Sequence, residues 1–128
     1  MYCLDTNILI DILRGDESLR SSIFNSDLIV STTQINVCEL YKGAYLSNKP
    51  KKNIELIKNL INNIKILDIN EETYFIYGKI FKELSEKGKI ISELDLLIAS
   101  ICLSHKFILI TRNIKDFENI SGLIVKKW

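Results

Sequence analysis

The chain has 128 residues, 47% hydrophobic and 26% charged, with 17 Lys plus Arg against 16 Asp plus Glu. That is the size and composition of a single globular domain spanning 1–128, able to bury its core without disulfides or a structural metal. A net charge of +1 excludes polybasic or acidic tails and a uniformly basic nucleic-acid coat.

No apolar run reaches the roughly 18 residues of a membrane span, and Met1-Tyr2-Cys3-Leu4-Asp5 lacks the basic region and apolar core of a signal peptide. Cys3, Cys38 and Cys102 are scattered and form no CxxC pair. They imply a reducing, cytoplasmic setting with each thiol acting as a small apolar side chain.

Along the chain, Met1–Leu4 is a short apolar run ending at Asp5-Thr6-Asn7. Ile8, Leu9, Ile12 and Leu13 then recur at helical spacing until Arg14-Gly15-Asp16. Glu17–Asn25 predicts a second short helix, and Leu28-Ile29-Val30 a strand. Ser31 or Thr33 caps a helix carrying Ile35, Cys38, Leu40, Tyr41 and Ala44. After Pro50, Lys51–Asn63 resumes helical spacing; Lys65–Ile69 reads as a strand and Glu71–Lys87 as a long helix ending at Gly88. Ser92–His105 is a further helix, and Phe107–Ile110 a strand buried on both faces. Asn113–Phe117 is a helical turn and Leu123–Val125 a last short strand. Strands alternating with helices predict an α/β fold with a mostly parallel sheet. Sites in such sheets lie beyond the carboxyl ends of the strands, which points to Asp5-Thr6-Asn7 and to Thr111–Asp116.

Four acids stand out, each with a plain structural explanation beside the functional one. Asp5 follows a buried strand, yet Asp-Thr-Asn also caps a helix well. Glu39 sits among Val37, Cys38, Leu40 and Tyr41, where a buried acid needs a partner, though a solvated stripe also accounts for it. Asp95, in Ser92-Glu93-Leu94-Asp95, and Asp116, in Asn113-Ile114-Lys115-Asp116, both fit capping chemistry. Glu93 suits the first turn of a helix. Together the four acids are more specific than any one alone. Converging carboxylates raise each other's pKa, and a divalent cation with hard oxygen ligands removes that penalty. On a phosphodiester, such an ion orients water and stabilises charge on the attacking and leaving oxygens.

The runs Leu4-Asp5-Thr6-Asn7-Ile8-Leu9-Ile10, Val37-Cys38-Glu39-Leu40-Tyr41-Lys42-Gly43-Ala44, Asp95-Leu96-Leu97-Ile98-Ala99 and Ile110-Thr111-Arg112-Asn113-Ile114-Lys115-Asp116-Phe117 resemble the successive signatures of PIN-domain ribonucleases. The small size and the close Gly122-Leu123-Ile124-Val125 to Trp128 resemble the VapC-type toxins of toxin–antitoxin pairs. This resemblance implies a three-layer α/β/α sandwich and an acidic pocket for Mg²⁺ or Mn²⁺. It further implies that Asp5 and Asp95 anchor the metal and that Glu39 and Asp116 complete a catalytic quartet. Thr111 and Asn113 would flank the pocket and help hold the last acid, with Asn7 in a similar supporting role. The implied partners are an RNA substrate, a cognate antitoxin covering the pocket and filling an apolar groove, and a second copy in a homodimer or higher-order toxin–antitoxin complex. The amphipathic helices on either side of Pro50 are candidates for the groove.

Other residues carry blander readings. His105, the one histidine, lies near a helix end with no nucleophile motif to serve. Tyr41, Tyr45, Tyr74, Phe75, Tyr77 and Phe81 have the spacing of core or interface packing. Lys42, Lys49, Lys51, Lys52 and Lys58 form a basic stretch, read as a solvated face or as RNA phosphate contacts. Arg112 is the candidate phosphate contact at the pocket. The leading alternative is a housekeeping PIN nuclease for RNA processing or DNA structures. A haloacid-dehalogenase-like phosphatase would need Asp-x-Asp where position 7 is Asn, a receiver domain fits the Thr-Arg-Asn junction poorly, and a protein-binding module leaves the four acids without a purpose.

Overall fold

The computed structural model describes all of residues 1–128. Five strands form one all-parallel sheet: β1 (Tyr2–Leu4), β2 (Val30–Thr33), β3 (Lys65–Leu67), β4 (Ile108–Ile110) and β5 (Val125–Lys126), in the order β3-β2-β1-β4-β5. Seven helices connect them: α1 (Thr6–Leu13), α2 (Glu17–Phe24), α3 (Gln34–Leu46), α4 (Pro50–Ile61), α5 (Glu71–Glu86), α6 (Glu93–His105) and α7 (Ile114–Phe117).

Strand alternation splits the core in two. Cys3 and Leu109 point to one face, where 13 buried residues from α5, α6, α7 and the sheet pack together. Leu4 and Ile110 point to the other, with 10 buried residues that include Ile8, Leu9 and Ile12 of α1, Leu40 of α3 and Ile57 of α4. The result is the expected α/β/α sandwich. β1 lies between β2 and β4, paired Cys3 to Ser31 and Leu4 to Ile110, so the chain leaving β1 emerges at the middle of the sheet's carboxyl edge.

The second strand falls two residues later than the apolar run suggests. Leu28 and Ile29 are 40% and 56% exposed, whereas Ser31, Thr32 and Thr33 are fully buried. Hydroxyls make the difference: Ser31 Oγ donates to the Tyr2 carbonyl (3.1 Å) and Thr32 Oγ1 to the Leu4 carbonyl (2.8 Å), so small polar side chains fill a central position at no cost in lost hydrogen bonds. Phe107 and Leu123, expected in strands, lie just outside β4 and β5. α1 stops where expected, because Gly15 takes φ +93°, a conformation that suits glycine. Cys3 and Cys102 are buried as expected, but Cys38 is exposed. The Cys3 thiol beside it, together with burial, holds the Cys102 thiol well above its usual range, so Cys102 behaves as a core residue. No helix is long and apolar enough to cross a membrane.

Candidate active site

Asp5 leaves β1 and caps α1, where its backbone is extended and its carbonyl accepts the first helical bonds. Its side chain is buried, at 6% exposure. Oδ1 accepts from the Thr6 N–H (2.9 Å) and from Asn36 Nδ2 (3.0 Å). Oδ2 accepts from Thr111 Oγ1 (2.6 Å) and, more weakly, from Asn7 Nδ2 (3.4 Å). All four donors are neutral. The same carboxylate therefore caps α1 and sits in a buried polar network.

Glu39, half-buried on α3, comes next to this group: Thr6 Oγ1 donates to its Oε1 (2.8 Å), and Asn36 Nδ2 donates to Thr6 Oγ1 (2.9 Å). Burial raises the Glu39 carboxyl above its ordinary pKa. The Thr6 bond and the Lys42 charge oppose that shift, while the charges of Asp5 and Asp95 add to it. Asp95 stands in the first turn of α6, with its N–H on Ser92 Oγ (3.1 Å). Burial raises its carboxyl too; Ser92 opposes the shift, and the charges of Asp5 and Asp116 reinforce it. Asp116 is exposed in α7, its N–H bonded to the Asn113 carbonyl (3.1 Å). Asp5, Glu39 and Asp95 thus lie within electrostatic reach of one another, and Asp116 within reach of Asp95. Glu93 is exposed beside them.

None of the four forms a salt bridge; Arg112, beside Thr111, pairs with Asp11 instead. A buried carboxylate with no cation beside it, and neighbours pushed toward protonation, lacks positive charge. The donors are hard oxygens suited to Mg²⁺ or Mn²⁺. No three of the acids converge closely enough to enclose an ion in this conformation.

The supporting residues are placed in part differently from expectation. Thr111 is fully buried and holds Asp5, the first acid, rather than the last. Its hydroxyl accepts from Asn7 Nδ2 (3.2 Å) and from the Asn113 N–H (3.1 Å). Asn113 supports Asp116 only through backbone. Arg112 directs its Nη1 and Nη2 to Asp11 and also reaches the Asn7 carbonyl, so its guanidinium is already engaged. His105 lies on the Asp68 carbonyl (2.8 Å), at the far end of α6 from Asp95.

Sequence reasoning missed Asn36 and Thr6. Asn36 is fully buried and ties Asp5, Thr6 and Thr33 together; its Oδ1 accepts from the Thr33 hydroxyl at 2.7 Å in a capping box. The signal was Thr33-x-x-Asn36: the third position of a capping box on the strand next to β1.

A groove of about 260 Å³ adjoins Glu39, between α1, α3 and α4, with walls of Ile10, Leu13, Leu40, Leu56 and Ile57. Tyr41 and Tyr77 pack against the core, as their spacing suggests, whereas Tyr45, Tyr74, Phe75 and Phe81 are exposed.

The family model of the PIN domain matches residues 2–123. The chain is 35% identical to Ribonuclease VapC2 of Haemophilus influenzae (strain Rd), over 99% of this chain and 97% of that protein. Its fold is similar to the crystal structure of VapBC2 from Rickettsia felis bound to a DNA fragment from their promoter, with a TM-score of 0.92, 31% identity and coverage of 99% of this chain and 98% of that one. It is also similar to VapBC-1 from nontypeable Haemophilus influenzae, with a TM-score of 0.87, 33% identity and coverage of 99% and 97%.

Proposed function

Because the chain belongs to the PIN domain family, we propose that it is a metal-dependent endoribonuclease, the toxin of a toxin–antitoxin pair, folded as one PIN domain over 1–128. The observation that carries this reading is Asp5: a buried carboxylate held by four neutral donors, with no cation paired to it and further acids nearby. The full-length likeness to Ribonuclease VapC2 supports RNA as the substrate.

Asp5 and Asp95 would hold Mg²⁺ or Mn²⁺, and the ion would neutralise the pocket and offset charge developing on the phosphate. Thr111, Asn36 and Asn7 keep the Asp5 oxygens in place. Glu39 or Asp116 helps hold a second ion, or orients the attacking water and accepts its proton. The raised pKa of Glu39 brings it nearer the working pH of a general base. As the water oxygen bonds to phosphorus, the ribose oxygen leaves and takes up a proton from solvent.

The apolar groove beside Glu39 suits an antitoxin segment with aliphatic side chains and a basic residue directed at the acids. Exposed Tyr45, Leu46, Tyr74 and Phe75 suit a homodimer contact, and the protein works in the cytoplasm.

The test is cleavage of total RNA by the purified chain. EDTA stops it, Mg²⁺ or Mn²⁺ restores it, and Asp5→Asn abolishes it while circular dichroism stays unchanged. Wild-type cleavage by Asp5→Asn overturns the assignment. Growth arrest on expression without an antitoxin separates a toxin from a housekeeping nuclease with the same chemistry.

A further inference from the structure

We infer that Asp11 is a positioning residue of the metal pocket, acting through Arg112 and Asn7 on Asp5; the inference rests on Asp5 being a metal ligand. Asp11 lies in α1, whose N-terminus Asp5 caps, and its side chain is 22% exposed. It receives Arg112 in a two-pronged pair, Nη1 to Oδ2 at 3.1 Å and Nη2 to Oδ1 at 3.2 Å, the geometry that fixes a guanidinium most firmly. Arg112 belongs to the loop between β4 and α7, which also carries Thr111 and leads into the helix of Asp116. One ion pair therefore ties the helix that starts at Asp5 to the segment that ends in Asp116.

The same arginine sets the amide of Asn7. The Arg112 N–H donates to Asn7 Oδ1 (3.3 Å) and its Nη2 reaches the Asn7 carbonyl (3.5 Å). With the amide oxygen so occupied, Nδ2 faces Thr111 Oγ1 (3.2 Å) and Asp5 Oδ2 (3.4 Å). A flipped amide would present its oxygen to the carboxylate and repel it. Both donors on Asp5 Oδ2 thus depend on where Arg112 holds its loop, and Arg112 is held by Asp11.

The experiment measures Mn²⁺ binding to the purified full chain by calorimetric titration, alongside thermal melting and RNA cleavage. Asp11→Asn weakens Mn²⁺ about three- to fivefold, the size of a partly exposed ion pair. Asp11→Glu, which keeps the charge, returns the affinity to near wild type. Cleavage by Asp11→Asn falls at low Mn²⁺ and recovers at saturating Mn²⁺. Wild-type Mn²⁺ affinity in Asp11→Asn, with only a lower melting temperature, overturns the inference. So does a lower KM for RNA at unchanged Mn²⁺ affinity, which would make Arg112 a phosphate contact that Asp11 restrains. Asp5→Asn runs in parallel: if it too binds Mn²⁺ normally, the reading of Asp5 has failed, whereas a defect in Asp5→Asn alone sinks only the role of Asp11.

Discussion

The two sides of the acidic edge are built differently. At the β1–α1 junction, Asp5 is buried and its two oxygens meet four donors drawn from α1, α3 and the loop after β4. At the start of α6, Asp95 is half-buried, and Ser92 is the one side chain bonded to it. The first carboxylate is fixed before any ligand arrives. The second is set by a helix cap and by repulsion from its neighbours. The contrast separates a rigid anchor from adjustable arms, and substitutions on each side should differ in size and in sign.

The largest effect belongs to Asn36. Asn36→Leu removes a donor from a buried charge, empties the partner of the Thr33 hydroxyl and breaks the bond to Thr6. A loss of about 3 kcal/mol in chemical unfolding is expected, with cleavage lowered even at saturating metal. Thr111→Val comes next. It keeps the shape but deletes the 2.6 Å bond to Asp5 Oδ2, costing about 2 kcal/mol and weakening metal binding. If either variant melts like wild type, Asp5 is not the anchored acid described here.

How far the sequence foretold this contrast differs between the two sides. The order of strands and helices was legible because apolar runs alternate with helical periods, and Asp5 and Asp95 were legible because each sits at a junction. The anchor's construction was not. Asn36 and Thr6 look like ordinary capping residues, and only the pairing of β2 with β1 brings Asn36 onto Asp5. The position of β2 was misread for a related reason: a central strand with Ser31, Thr32 and Thr33 satisfies its hydroxyls on neighbouring carbonyls, which hydropathy does not register. Arg112 was read as a phosphate contact because its partner Asp11 lies a hundred residues away in sequence but beside it in space.

On the adjustable side, Ser92→Ala removes the cap of α6. A loss of about 1 kcal/mol in unfolding is expected, together with a modest rise in the metal concentration needed for half-maximal cleavage. A full loss of cleavage would mean that Asp95 is as rigidly held as Asp5.

The smallest effect has the opposite sign. Glu39 and Asp95 have folded pKa values above their unfolded ones, so the folded chain holds more protons than the unfolded chain through the window from about 4 up to the raised values. Their contribution to stability is therefore favourable below their ordinary pKa and is lost as pH rises through that window. Above the raised values, where both are charged, they oppose folding. Asp95→Asn should then stabilise the metal-free chain at pH 7, by under about 1 kcal/mol because the site is partly solvated, and so raise its melting temperature. The gain should vanish near pH 3, where the native acid is protonated. The same substitution is expected to abolish cleavage, so that stability and activity move in opposite directions at one residue. Melting curves with and without Mn²⁺ complete the check: the ion stabilises the wild type and leaves Asp95→Asn nearly unmoved. A variant less stable than wild type at pH 7 without metal would mean that Asp95 is held by favourable contacts, and the division into anchor and arms would fail at that point.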